Sequence, residues 1–147
     1  MTRQWYQSIS YTNESLSTTI SCLTPLLTDP LWANEDCQLI IFQRKKYNPF
    51  VHWVAVIVFR HRIIKVAVLT GRTNAQYAIM ESVNINSITQ LNLGNPRQLL
   101  NVVNAHIESL SGGDQTTVDL WLPANTLAPQ SFMRTVHGLQ QLHYRDA

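Results

Sequence analysis

The chain reads as one α+β domain, with a mainly antiparallel sheet flanked by helices, and three observations carry that reading. Strand-like segments follow one another through residues 38–85 with no helix between them, which favours antiparallel neighbours over βαβ units. Helical patterns lie on either side of that block. The 147 residues, 45% of them hydrophobic, suit a single domain with a substantial core.

Residues 1–13 are polar with scattered aromatics and no period, and read as an irregular arm. A short helix is expected over Ser15–Leu27, capped by Asn13 or Ser15, with Leu16, Ile20, Leu23 and Leu27 on one face. Asp29-Pro30 stops it. Leu31–Asp36 is a connector, Gln38–Gln43 a strand, and residues 44–49 an exposed loop. The run from Phe50 to Gly71 is the most distinctive. Apart from His52, its first segment Val51–Phe59 holds no polar side chain, so it should be a central strand buried on both faces. Arg60-His61-Arg62 turns the chain into a second strand, Ile63–Leu69. After a turn at residues 71–74, Ala75–Ile85 alternates as a further strand. Ile88–Leu93 reads as a linker.

Asn95-Pro96 has the form of an N-cap followed by a proline at the first helical position. It predicts a helix whose stripe is Leu99, Leu100, Val103, Ile107 and Leu110, ended by Gly112-Gly113. Thr116–Leu122 reads as a short strand and residues 123–129 as a loop. A last helix over Gln130–His143 puts Phe132, Val136, Leu139 and His143 on one face.

Composition excludes several classes. A net charge of +2, with 14% charged residues, is not that of a polycation made for nucleic acid. No apolar run is long enough to span a bilayer, and the N-terminus lacks the apolar core of a secretory signal. Cys22 and Cys37 make no disulfide framework. An intracellular, soluble protein is expected. The five histidines and two cysteines show no ligand spacing, and no phosphate-binding glycine loop is present, so neither metal nor cofactor is expected.

One set of motifs resembles a known family. His52-Trp53 opens an apolar strand, a polar turn leads to a second strand, a predicted helix follows at Pro96–Leu110, and Pro129-Gln130 precedes Gly138 in the last helix. This order resembles the ubiquitin-like-specific (SUMO-deconjugating) cysteine proteases, which include the adenovirus protease. The resemblance spans roughly residues 31–144 and implies a papain-like, ubiquitin-like-protease-like fold. It also implies His52 as the catalytic imidazole, Gln130 or Ser131 as the oxyanion amide position, and a nucleophilic thiol at residue 137. Position 137 is His137, and the acid expected near Leu69-Thr70 is missing. A histidine without its orienting acid and its thiol does not make a triad.

The resemblance therefore implies a pseudoenzyme, a non-catalytic protein-binding domain, with His52, Gln130 and His137 vestigial. Its partner contacts would be Trp53, Pro129, Gln130 and His137 around one cleft. The partner would be a ubiquitin-like protein, a subunit of a larger complex, or a second copy of the chain. Two alternatives stand beside it. One is an active cysteine hydrolase using Cys37 and His52, although no nucleophile turn precedes Cys37. The other is a nucleic-acid-binding module using the basic turns Arg44, Lys45, Lys46, Arg60 and Arg62.

Overall fold

A computed structural model of the chain describes residues 9–12, 16–32, 34–44, 53–70, 75–97 and 99–145. The fold is α+β, as expected, but it carries two sheets. The larger has five strands in sequence order: β1 (Ile9–Thr12), β2 (Cys37–Arg44), β3 (Trp53–Phe59), β4 (Arg62–Thr70) and β5 (Ala75–Asn84). β2 to β5 form an antiparallel meander, while β1 pairs parallel to β2. The smaller is an antiparallel meander of β6 (Ile88–Leu93), β7 (Val102–Ser111) and β8 (Asp114–Pro123). The helices are α1 (Leu16–Leu27) and α2 (Ala128–Arg145).

Side-chain alternation on the larger sheet builds two cores. Ile40, Phe42, Ala55, Ile57, Phe59, Ile64, Val66 and Val68 pack with Leu23, Leu26 and Trp32 on the α1 side. Leu39, Ile41, Val56, Val58 and Ile63 point the other way, to the smaller sheet and to Phe132, Val136 and Leu139 of α2. β3 is therefore covered on both faces, and Val54 to Phe59 are all buried. Each large aliphatic side chain buried in this way contributes about 1.5–3 kcal/mol. This is why the strand tolerates no polar residue along its length.

α1 ends where the Asp29-Pro30 signal placed it. The Asp29 carboxylate accepts from the Leu31 amide at 3.0 Å, forming a turn that competes with further helix. The strands at residues 37–44, 62–70, 75–84 and 114–123 and the helix at 128–145 match the sequence expectation to within a few residues.

Three expectations are corrected. The arm expected at residues 1–13 contains β1, whose register with β2 is irregular between Ile9 and Tyr11. The linker expected at Ile88–Leu93 is β6. The helix expected from Pro96 to Leu110 is not formed, and Val102–Ser111 is strand β7 instead. Val103, Ala105, Ile107 and Ser109 are buried, while Asn104, His106 and Glu108 between them are half-exposed. That is a period of two, and it overrides the helical stripe. Gly112-Gly113, expected to end a helix, forms the β7–β8 hairpin turn. Gly112 and Gly113 have φ of 59° and 87°, which the two-residue loop between paired Ser111 and Asp114 requires.

Candidate functional site

The inward face of the smaller sheet is apolar and seals the core. Its outward face carries the side chains with the most chemistry among the described residues. Alternation in β7 brings out Asn104, His106 and Glu108, and the register sets Trp121, Asp119 and Thr117 directly opposite them. Asn92 of β6 lies on the other side of His106.

His106 is the centre of this face. Its Nδ1 lies 2.8 Å from Asp119 Oδ1 and its Nε2 lies 3.3 Å from Glu108 Oε1. The imidazolium donates from both nitrogens, so the arrangement favours the charged ring. Hydrogen bonding to Asp119, and next to Glu108, raises the His106 pKa above its ordinary value. The Asp119 carboxyl is held below its usual range, chiefly by His106, with a further hydrogen bond from Asn104. The His106 side chain is 37% exposed, so solvent screens the attraction.

Next along the same face, the Arg97 guanidinium carbon lies 4.7 Å from the Trp121 ring centroid. This cation–π contact ties the loop after β6 to β8. The free edge of β8 is partly covered, since Gln43 donates to the Trp121 carbonyl at 3.2 Å.

The residues expected to form a protease-like cleft are not brought together. Trp53 is half-buried and stacks on Phe42 at 6.2 Å, on the α1 side of the larger sheet. α2 packs on the opposite face of that sheet. The expected cleft between Trp53 and the start of the last helix is thus divided by the sheet itself. Within α2, Pro129 is buried, whereas Gln130 and His137 are exposed. His52 lies outside the described residues, as do Lys45 and Lys46. Cys37 pairs with Phe59 on β3 and is half-buried, and Cys22, in α1, is buried against the larger sheet.

The basic turns are also split. Arg60 is exposed, but Arg62 is drawn inward, 3.4 Å from Glu35 and 5.1 Å over the Trp32 ring. Arg44 belongs to β2, paired with Trp53. His61 instead meets the C-terminal helix: its ring centroid is 5.0 Å from that of His143, whose Nε2 donates to the Arg60 carbonyl at 3.2 Å.

The sequence expectation missed His106, Asp119, Arg97 and Trp121. A signal was present, because H-I-E and V-D-L place polar residues between apolar ones on two segments joined by Gly-Gly. Reading the first segment as helix put His106 and Asp119 in unrelated elements.

Among the described residues, no group of three histidine, cysteine or acidic side chains is arranged to hold a metal ion. No described helix is long and apolar enough to cross a membrane. No protein-family model matches the chain, and no curated protein is significantly similar to it.

Proposed function

We propose that the chain is a non-catalytic protein-binding domain whose contact surface is the outward face of β6, β7 and β8. The observation that carries this reading is the Arg97–Trp121 stack at 4.7 Å on that face. Tryptophan and arginine are enriched at the centres of protein interfaces, because each offers a large contact area and a directed polar group. Half-exposed His106 and Asn104 and exposed Asp119 beside them supply oriented hydrogen-bonding groups. The partner class is a folded protein: a ubiquitin-like protein, a subunit of a complex, or a second copy. A chain of 147 residues with only two cysteines, Cys22 and Cys37, fits an intracellular setting.

The protease-like scaffold is not carried into this reading. The segment that should be its intervening helix is a strand, and Trp53 lies on the far side of the sheet from α2.

The test uses the full chain as bait beside Trp121→Ala and Arg97→Ala. A partner retained by the wild type should be lost from Trp121→Ala while circular dichroism stays unchanged. Equal retention of that partner by both variants would sink the reading. The hydrolase alternative predicts a thiol that iodoacetamide alkylates at neutral pH, and unreactive native thiols remove it. The nucleic-acid alternative predicts affinity that falls steeply with salt, and no binding at low salt removes it.

A further inference from the structure

Two histidines far apart in the chain meet where the β3–β4 turn reaches the last turn of α2. His61 is exposed in the turn between Phe59 and Arg62, and His143 is half-buried near the end of the helix. Their ring centroids are 5.0 Å apart, and the ring planes are tilted by 49°. The rings therefore neither stack flat nor meet edge to face.

Hydrogen bonding decides which nitrogen His143 offers. A carbonyl oxygen only accepts, so the Nε2 that lies 3.2 Å from the Arg60 carbonyl carries the hydrogen. In the neutral ring Nδ1 then holds the lone pair. A backbone carbonyl that fixes the tautomer in this way is the usual support of a metal-binding imidazole. The backbone beneath both rings is also held. The Arg60 amide donates to the Asp36 carbonyl and the Ile85 amide to the His61 carbonyl, each at 2.9 Å. Val136 and Leu139 anchor α2 in the core.

The spacing suits a shared ion. A bond of about 2.0–2.1 Å from an imidazole nitrogen puts the ring centre about 3.2 Å from the metal, so two rings roughly 90–110° apart about it have centres about 4.5–5.2 Å apart. The observed 5.0 Å falls in that range. Imidazole nitrogen selects zinc, nickel and copper over magnesium and calcium, which take oxygen. Water fills the remaining positions, since no third histidine, cysteine or acidic side chain among the described residues joins the pair. Neighbouring charge does not forbid a cation. Arg62 is engaged by Glu35 at 3.4 Å, and Arg60 is exposed, where solvent screens it.

We propose that His61 and His143 form a two-histidine site for a late first-row divalent metal ion, which staples the β3–β4 turn to the end of α2. The site is independent of the protein-binding reading, because neither histidine belongs to β6, β7 or β8.

Calorimetric titration of the full chain with nickel or zinc chloride tests this, with magnesium chloride as the control. The wild type should bind nickel or zinc saturably and magnesium not at all. His61→Ala and His143→Ala, with unchanged circular dichroism, should each weaken binding about tenfold or more. His137→Ala, on the same helix, should bind like the wild type. At an ion concentration about ten times the dissociation constant, the wild-type melting temperature should rise by about 3–6 °C, and that of His61→Ala by less than about 2 °C. Absence of saturable wild-type binding at neutral pH overturns the proposal, and so does His61→Ala with full affinity. A loss in His137→Ala equal to that in His61→Ala also overturns it, by assigning the ion to other histidines.

Discussion

His106 and Asp119 stand directly opposite each other across the β7–β8 ladder, with 2.8 Å between Nδ1 and Oδ1. The pair makes the outer hairpin sensitive to pH at both ends of a window. The folded-state pKa of His106 is raised above 6.5, so its contribution is complete below that value and fades as pH rises through the raised one. The folded-state pKa of Asp119 is lowered below 3.8, so its contribution is complete above that value and is lost as pH falls through the lowered one. Stability against urea should therefore be greatest between these limits. His106→Gln should flatten the decline on the alkaline side, and an unchanged pH profile in that variant would refute the pairing.

Tyr77 donates its hydroxyl hydrogen to the Asp29 carboxylate, which links β5 to the end of α1. The bond, followed by the Leu31 amide, holds the Asp29 carboxyl below its usual range. Burial, and then Asp29, push the Tyr77 hydroxyl up. Tyr77→Phe should speed amide exchange in β5 and leave β7 unaffected. Exchange in the two strands that rises together would show global loosening instead.

Phe132 is fully buried between α2 and both sheets. Phe132→Ala removes a large ring from a site walled by three elements, and should cost about 3–5 kcal/mol in urea unfolding. Arg134→Ala, two residues further on an exposed position, should change stability by less than about 0.5 kcal/mol. A small effect at Phe132 would mean that α2 is not part of the core.

Asn101 supplies the left-handed residue that the turn before β7 needs, with φ of 57°. Asn101→Gly should be tolerated, whereas Asn101→Val should cost about 1–2 kcal/mol because its branched Cβ meets the backbone in that conformation. Thermal unfolding of the two variants side by side checks the sign. Equal melting temperatures would place the turn in another conformation.

Much of this architecture is written in local patterns. The all-apolar Val54–Phe59 run can only be a strand covered on both faces, and it is. Asp29-Pro30 stops α1 through its own side chain, without help from distant residues. The spacing of Phe132, Val136 and Leu139 gives α2 its buried stripe. In each case the deciding interaction lies within a few residues, so composition and periodicity suffice.

Contacts between distant segments decided the rest. Residues 102–110 carry apolar side chains at spacings that suit a helix as well as a strand. Pairing with β6 and β8 selects the strand, because it hides Val103, Ala105 and Ile107 together. That choice also creates the candidate site. His106 meets Asp119, and Arg97 meets Trp121, only once three strands are in register. Alternation along β3 separates Trp53 from α2, since it sends neighbouring side chains to opposite faces of the larger sheet. Local order was thus legible from neighbouring residues, whereas the functional surface depends on cross-strand register, which no single segment encodes.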